Sequence, residues 1–162
     1  EHPPVFTLGT AANKKHILDS KEIPIIQSDR GGEVTYHGPG QIVIYFLLDI
    51  KSLNCGPNKL VATIQDFVKE LLLKLAIECN FKDGAPGVYV NKKKIASIGL
   101  RISKGKSYHG ISLNFDMDLS PFKQINPCGY EGLEVTQIKD LNKDISKLEL
   151  HKMIIDTLRK VF

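Results

Sequence analysis

Two apolar segments flank a glycine-rich loop near the N-terminus, and this arrangement most constrains what the chain can fold into. Residues 23–26 lead into the loop, and residues 42–48 leave it as a nearly continuous run of aliphatic and aromatic side chains. Such runs are typical of strands that are buried on both faces. We therefore expect a sheet whose buried strands fix the loop from both sides.

The loop itself, residues 30–41, reads RGGEVTYHGPGQ and contains four glycines. Glycine allows positive φ angles and close approach of the backbone to a ligand, while Arg30, Tyr36 and His37 supply polar groups. A plain connection between strands is the simplest alternative, but a two-strand turn usually needs about two to five residues. The loop lacks the Gly-Lys-Ser/Thr of a phosphate-binding loop, and a strand follows where a dinucleotide fingerprint would begin a helix. We interpret it as a binding loop of another kind.

Length and charge exclude several classes of protein. The chain has 162 residues, which predicts a single domain over residues 1–162. Lysine and arginine exceed the acidic residues by 22 to 18, and no tryptophan is present, so we do not expect a nucleic-acid partner. No apolar run approaches the ~18 residues of a membrane span, so we do not expect a membrane protein.

The three cysteines indicate a reducing compartment. Cys55, Cys79 and Cys128 form no CxxC pair and no even-numbered disulfide framework. A bacterial cytoplasm is the simplest expectation, and a mitochondrial matrix is the alternative, since the chain begins at Glu1 rather than at methionine. We regard Cys55 and Cys79 as packing or incidental residues.

Periodicity predicts the remaining elements. Apolar residues at three- and four-residue spacing predict a helix over residues 57–79, and the turn at 91–93 predicts a hairpin that continues through a second turn at 104–106 into a three-stranded meander. Ser146 and Glu149 form a capping box for a last helix. The expected fold class is α/β (α+β), with a mixed β-sheet covered by helices on one face. The predicted buried positions are Leu60, Ile64, Phe67, Leu71 and Leu75 in the first helix, and Leu148, Ile155, Leu158 and Phe162 in the last.

Cys128 is a candidate nucleophile. It lies in the sequence Asn-Pro-Cys-Gly-Tyr, where proline and glycine favour an exposed loop, and an accessible thiol in a reducing compartment can react. An incidental surface cysteine is the alternative. A nucleophilic thiol needs a nearby cation or base.

Lys94 is the candidate partner for that thiol. Strand alternation from Lys94 onward places it on one face with Ala96, Ile98 and Leu100. We therefore expect partial burial, which would lower the pKa of its ammonium group. The alternative is that all three lysines at 92–94 are surface residues of a hairpin tip.

His37 and His109 each lie between a tyrosine and a glycine. The repeated Tyr-His-Gly pattern predicts two similar positions that converge on one site, where the histidines act as bases or as hydrogen-bonding groups for the substrate. Structural histidines are the alternative. No metal is expected, because no carboxylate or second histidine lies at ligand spacing.

Four blocks of the sequence carry a family resemblance. They are RGGEVTYHGPGQ at 30–41, GVYVNKKKIASIGLRI at 87–102, YHGISLN at 108–114 and MDLSPFKQINPCGY at 117–130. These blocks look like those of octanoyltransferases, also called lipoyl(octanoyl) transferases. The resemblance covers residues 1–136, and relative to that family the chain is expected to be short at its N-terminus. It implies the fold of the biotin and lipoate protein ligase catalytic domain.

The resemblance also implies roles for individual residues. Cys128 matches the cysteine that forms an acyl thioester, and Lys94 matches the lysine that activates it, while His109 is a possible supporting residue. Ile98 and Ile111 would face the acyl tail. The implied substrate-binding residues are Arg30, Gly31, Gly32, Glu33, Val34, Thr35, Tyr36 and His37, then Ser97, Ile98 and Gly99, and finally Gly110, Ile111 and Ser112.

The implied reaction is transfer of an octanoyl group from acyl carrier protein to a specific lysine of a lipoyl domain, in 2-oxoacid dehydrogenases and the glycine cleavage H protein. This is the first step of lipoate synthesis. The donor is already a thioester, so neither ATP nor a metal is expected. A lipoate protein ligase that consumes ATP is the nearest alternative, and a non-catalytic protein that binds acyl carrier protein or a lipoyl domain is the second.

Overall fold

The structure is a computed structural model that describes residues 1–20 and 22–162. Within these residues the chain forms seven strands, three α-helices and three short 3-10 turns. The strands are β1 (Val5–Leu8), β2 (Ile25–Gln27), β3 (Val34–His37), β4 (Gln41–Tyr45), β5 (Gly87–Val90), β6 (Lys93–Ser103) and β7 (Lys106–Asn114). The helices are α1 (Pro57–Leu73), α2 (Ile138–Leu141) and α3 (Lys147–Val161), and the 3-10 turns span Lys14–His16, Ser120–Gln124 and Pro127–Gly129.

The strands form two sheets rather than one. A small mixed sheet has the order β2-β1-β3, in which β1 is parallel to β2 and antiparallel to β3. A larger antiparallel sheet has the order β4-β7-β6-β5. The predicted α+β class is confirmed, and the meander of β5, β6 and β7 is present as expected.

Both hairpins of the meander close with two-residue turns. Asn91 and Lys92 connect β5 to β6, and Lys104 and Gly105 connect β6 to β7, all four with positive φ. Two consecutive residues with positive φ give the turn whose twist matches that of antiparallel strands. These turns therefore fix the register of the large sheet.

The main core lies between the large sheet and the helices. The five apolar positions predicted for the first helix are all buried there. The helix ends at Leu73 rather than at residue 79, because Ala76 has a φ of 57° and Ile77 N donates to Leu72 O at 2.9 Å. This is a Schellman termination, and here it contains no glycine that would mark it in the sequence. The buried residues Leu75 and Ile77 extended the apolar pattern beyond the end of the helix.

The last helix begins where it was predicted but buries a different face. Ser146 and Glu149 form the expected capping box. The predicted stripe is wrong for Leu148, Ile155 and Phe162, which are at least half exposed, while its fourth residue, Leu158, is partly buried against the main core. The helix has two apolar stripes, and the one that packs against α1 includes a threonine. The side chains buried in it are Leu150, Ile154 and Thr157.

The surroundings of the glycine-rich loop also differ from the prediction. Ile25 and Ile26 belong to an edge strand and are 42% and 54% exposed, and Tyr45 and Leu47 are exposed as well. The loop itself contains β3, whose four residues pair with β1. The segment is therefore two turns around a strand, and not one loop between two buried strands.

Alternation along β1 and β3 separates a second core from an open face. Phe6 and Leu8 on β1, with Val34 and Tyr36 on β3, pack against Phe122 and its neighbours. The opposite face of the same strands carries Val5, Thr7, Thr35 and His37. That face is turned toward the large sheet.

None of the helices in residues 1–20 and 22–162 combines the length and the apolar character that crossing a bilayer requires.

Replacing Gly110 by alanine tests the close approach of two strands in the large sheet. A Cβ there would lie 2.0 Å from Ile44 O and 3.0 Å from Phe46 Cδ2. Because the oxygen belongs to the backbone, β4 and β7 must move apart, and we expect Gly110→Ala to lower the free energy of unfolding by about 2 kcal/mol or more. Urea unfolding measures this change. Gly56→Ala is the control, because nothing lies within 4 Å of its Cβ, and equal losses in the two variants would contradict the packing described.

Candidate active site

A cavity of about 470 Å³ separates the open face of the small sheet from the large sheet. On the large sheet, Ser97 pairs with Ser112, and Gly99 pairs with Gly110. Four small residues at facing positions on neighbouring strands leave the sheet without bulky side chains there. The space between the sheets therefore stays open rather than being filled by core packing.

Lys94 enters this cavity because of an irregularity in β6. Val88 pairs with Ala96, but the next residue, Tyr89, pairs with Lys94, so Ile95 has no partner on β5. Paired residues point to the same face, and the bulge places Lys94 with Tyr89 while Ile95 and Ala96 both enter the main core. The predicted burial of Lys94 is confirmed, but the face predicted from strict alternation is wrong.

The Lys94 ammonium meets the Cys128 thiol at the wall of the cavity. Lys94 is 2% exposed, and its Nζ donates to Cys128 Sγ at 2.9 Å and to Pro86 O at 3.3 Å. The ring of Tyr89 lies 5.2 Å from the same nitrogen. Lys94 and Cys128 are 34 residues apart in sequence. The sulfur, the carbonyl oxygen and the aromatic ring are all groups that attract a cation.

Backbone pairing brings these two residues together. The main-chain N–H of Lys94 donates to Glu134 O at 2.9 Å, and Thr136 N donates to Lys94 O at 3.0 Å. The segment that follows Cys128 thus adds a short parallel bridge to the start of β6. The pair is fixed by the sheet itself and not only by its own hydrogen bond.

The electrostatic balance at Lys94 is the reverse of the prediction. Burial lowers the pKa of Lys94, but the negative charge that Cys128 can carry and the hydrogen bond to it act in the opposite direction, and the net effect raises the pKa. The expected lowering is wrong, because a nearby anion outweighs desolvation. Lys94 is therefore an ammonium ion at neutral pH.

The backbone at Cys128 is held in an unusual conformation. Cys128 lies inside the 3-10 turn Pro127–Gly129 and has a φ of 57°. Residues other than glycine and asparagine seldom adopt this left-handed backbone conformation. The turn is closed by Gly129 N to Asn126 O at 3.0 Å and anchored by Asn126 N to His16 O at 2.8 Å. This geometry presents the thiol to the cavity. It also occupies the N–H of Gly129, which is thus not free to bind an oxyanion.

The other two cysteines lie away from the cavity lining. Cys55 and Cys79 are free thiols, and burial raises the pKa of Cys79. A buried thiol with a raised pKa is a poor nucleophile at neutral pH.

Arg30 lines the cavity and also stabilises its wall. Its Nη2 donates to Thr7 O and to Glu33 O, both at 2.7 Å, and its Nε donates to Thr7 Oγ1 at 3.0 Å. Burial lowers the pKa of Arg30 to about 10, which still leaves it charged at neutral pH. These contacts attach the glycine-rich segment to β1, and Gly31 N adds a hydrogen bond to Leu100 O at 3.1 Å on the free edge of β6.

Most of the other predicted binding residues line the same cavity, and Tyr36 does not. The Tyr36 side chain is buried in the second core, with its ring centroid 5.6 Å from that of Phe6 and 5.4 Å from that of Phe122. Ile98 and Ile111 touch the cavity, but both pack with the main core. Alternation explains all three positions. The predicted residues that line the cavity are Arg30, Gly31, Gly32, Glu33, Val34, Thr35, His37, Ser97, Ile98, Gly99, Gly110, Ile111 and Ser112, together with Lys94, His109 and Cys128.

The two Tyr-His-Gly histidines do converge on the cavity, from opposite sheets. His109 has a φ of 61°, and its Nε2 lies 2.7 Å from Asp29 Oδ1, while Tyr108 OH donates to Asp29 Oδ2 at 2.9 Å. This cluster attaches the segment before Arg30 to β7. On the other side, His37 Nδ1 lies 2.7 Å from Gln41 Oε1. Burial is the main reason why the pKa of His37 falls to about 4.

Several residues of the site were not found from the sequence. Gly87 lies against the Lys94 side chain, and a Cβ there would be 2.8 Å from Lys94 Cε. Asp29 contacts His109, which is 80 residues away in sequence, while Tyr89 meets Lys94 across a hairpin and Gln41 meets His37 across a turn. No sequence pattern marks these contacts. Among residues 1–20 and 22–162, no group of three or more His, Cys, Asp or Glu side chains is placed to hold a metal ion.

Comparison with known sequences identifies the family. The model of the lipoyl protein ligase A/B catalytic domain matches residues 1–159. An octanoyltransferase from Shewanella sp. (strain ANA-3) is 53% identical over 161 residues, which span 99% of this chain and 74% of the relative. An octanoyltransferase from Vesicomyosocius okutanii subsp. Calyptogena okutanii is 52% identical over 150 residues, or 93% of this chain and 74% of the relative.

Solved structures confirm the fold that the sequence implied. A lipoate-protein ligase A bound with ATP superposes with a TM-score of 0.77 at 17% identity, covering 99% of this chain and 69% of the ligase. A bipartite lipoate protein ligase from Thermoplasma acidophilum, described with its E2 lipoyl domain, gives 0.76 at 16% identity over 99% of this chain and 68% of its own. A biotin protein ligase from Aquifex aeolicus, in complex with biotin and ATP, gives 0.60 at 20% identity over 95% and 70%. By the extent and identity of these sequence matches, the chain belongs to the octanoyltransferases of the lipoyl protein ligase A/B catalytic domain family.

Proposed function

We propose that the protein transfers an octanoyl group from acyl carrier protein to a specific lysine of a lipoyl domain through a thioester on Cys128. The observation that carries this proposal is the 2.9 Å contact between Lys94 Nζ and Cys128 Sγ at the wall of the cavity. An ammonium ion so close to sulfur stabilises the thiolate, which is the nucleophilic form of cysteine. We expect the acceptors to be the lipoyl domains of 2-oxoacid dehydrogenases and the glycine cleavage H protein.

In the first half of the reaction, the Cys128 thiolate attacks the carbonyl carbon of the donor thioester. The new bond joins Cys128 Sγ to the acyl carbon, and the bond between that carbon and the carrier sulfur breaks. The carrier leaves as a thiolate and takes a proton from the Lys94 ammonium. Lys94 is thereby left as a neutral amine beside the acyl thioester.

In the second half, the neutral amine of the acceptor lysine attacks the acyl carbon. The carbon–nitrogen bond forms, the bond to Cys128 Sγ breaks, and the excess proton on nitrogen passes to Lys94. The raised pKa of Lys94 favours its return to the ammonium form as the Cys128 thiolate reappears. No step consumes ATP or requires a metal, because the donor already carries an activated acyl group.

The cavity suits an acyl chain more than a charged ligand. Apolar side chains such as Val5 and Val43 contribute to its walls, and the small residues of β6 and β7 leave the required space. Each methylene group buried there contributes about 0.8 kcal/mol, so an eight-carbon tail gains substantial affinity. We expect the reaction to take place in a bacterial cytoplasm, where acyl carrier protein is present.

A transfer assay with Cys128→Ala tests the proposed function. We expect the wild-type protein to move octanoate from octanoyl-acyl carrier protein to a lipoyl domain without ATP, measured by the mass of the lipoyl domain. Cys128→Ala removes the nucleophile and should reduce the rate by about a thousandfold or more. Cys79→Ala is the matched control and should keep the wild-type rate. Activity that requires ATP and free octanoate or lipoate, or that survives Cys128→Ala, would contradict the proposal.

Gly87→Ala tests whether the position of Lys94 matters as well as its charge. Gly87 has a φ of 149°, and a Cβ there would lie 2.8 Å from Lys94 Cε and 2.7 Å from Ala96 O, so the lysine side chain must move. Loss of the ammonium in Lys94→Met should slow alkylation of Cys128 by iodoacetamide at pH 7 about tenfold or more, because the thiolate loses its counter-ion. Gly87→Ala should give a smaller decrease of the same kind.

The control for this comparison is Gly56→Ala, whose Cβ meets no atom within 4 Å. Its alkylation rate should equal that of the wild-type protein. If Lys94→Met and wild type were alkylated at the same rate, the ammonium would have no part in activating Cys128.

A further inference from the structure

Beneath His37 lies a chain of side-chain amides that begins at a backbone carbonyl. Asn114 Nδ2 donates to Thr136 O at 3.0 Å. A carbonyl oxygen can only accept, so this contact fixes which way the Asn114 amide is turned. Its Oδ1 consequently faces Gln41, whose Nε2 donates to it at 2.9 Å.

The orientation of the Gln41 side-chain amide is fixed by its own hydrogen bonds. Gln41 Nε2 also donates to Tyr36 O at 3.3 Å, so its two hydrogens are directed at two oxygens. The remaining atom of the amide, Oε1, lies 2.7 Å from His37 Nδ1. Because Oε1 can only accept, Nδ1 must carry a proton.

His37 has only that one proton at neutral pH. Burial lowers its pKa to about 4, the hydrogen bond to Gln41 opposes this effect, and the charges of Arg30 and His2 add to it. The neutral ring protonated at Nδ1 has a bare lone pair at Nε2. The amide chain therefore sets the chemical character of the opposite ring nitrogen.

That nitrogen is available to a ligand. His37 lines the cavity, and its Nε2 makes no hydrogen bond within the part of the chain that the structure describes. In that part of the chain, the fully buried side-chain polar atoms without a hydrogen-bond partner are His16 Nδ1 and Gln124 Oε1. His37 Nε2 also has no partner but is not among them, so it is accessible from the cavity. An accessible lone pair in a largely apolar cavity favours a group that donates a hydrogen bond.

We propose that Gln41 and Asn114 are positioning residues that hold His37 as a hydrogen-bond acceptor, through Nε2, for an N–H group of the substrate. This inference rests on the proposed function, in which two substrates carry such a group. The donor has amide N–H groups in the phosphopantetheine arm of acyl carrier protein, and the acceptor has the amine of its lysine. Both are N–H donors, and the two halves of the reaction distinguish them.

The tautomer of His37 can be measured without any assay of activity. Nitrogen-15 NMR of the imidazole should show a neutral ring with hydrogen at Nδ1 and none at Nε2 at pH 7. In Gln41→Glu a carboxylate replaces the amide, and the ring should become an imidazolium ion at pH 7, with hydrogen on both nitrogens. Gln27→Glu introduces the same charge on the exposed edge strand β2 and should leave His37 neutral.

A proton on Nε2 of the wild-type ring at pH 7 would overturn the inference, whether or not octanoyl transfer occurs. An unchanged ring in Gln41→Glu would also overturn it. Because neither result depends on turnover, failure of this inference is separate from failure of the proposed function.

The role of Nε2 toward substrate is tested by two substitutions that differ in reach. The longer side chain in His37→Gln can place an amide oxygen where Nε2 was, while that in His37→Asn reaches only to the depth of Nδ1. We expect His37→Gln to keep the rate within about threefold and His37→Asn to lose about tenfold, the effect of one hydrogen bond.

The half-reaction that slows in His37→Asn identifies the donor group. Slower formation of acyl-Cys128 indicates the phosphopantetheine amides, and slower transfer from preformed acyl-Cys128 indicates the lysine amine. If both half-reactions ran at the wild-type rate in His37→Asn, the acceptor role of Nε2 would be wrong.

Discussion

The contact between the Lys94 ammonium and the Cys128 thiol is the constraint on which the rest of the site depends. A buried lysine is costly unless an anion or strong acceptors surround it, and here the thiol, the Pro86 carbonyl and the Tyr89 ring do so. The pairing of β6 with the segment after Cys128 provides the framework, because it holds residues 134–136 against the backbone of Lys94. Removing one partner would leave the other as an uncompensated group at a cavity wall.

The cavity exists because the large sheet carries small residues where it faces the small sheet. Neighbouring strands of the large sheet place serine and glycine opposite each other, so that no side chain fills the space in front of them. The small sheet closes this space with the face of β1 and β3 that is not committed to the second core. Arg30 holds the glycine-rich segment against β1, because its guanidinium group donates hydrogen bonds to both. Arg30, which we propose to contact substrate, therefore also has a structural role.

The sequence predicted those features that local patterns determine. The buried face of α1, the two hairpins, the capping box of α3 and the presence of Cys128, Lys94 and both Tyr-His-Gly histidines at the site all follow from spacing, turn residues or family resemblance. Features decided by distant contacts were missed. The bulge at Ile95 redirects Lys94, yet the sequence of residues 94–98, KIASI, does not distinguish it from ordinary alternation. The end of α1 at Leu73, the buried stripe of α3 and the amide chain behind His37 likewise depend on packing that no short window reveals.

The central claim, that Cys128 carries the octanoyl group during transfer, is tested most directly by isolating the acylated protein. The protein is incubated with octanoyl-acyl carrier protein in the absence of acceptor, and its intact mass and the modified peptide are determined. We expect one octanoyl group per chain, attached to Cys128 and discharged when a lipoyl domain is added. Transfer that proceeds with no acyl group on Cys128, or with the group on another residue, would contradict it.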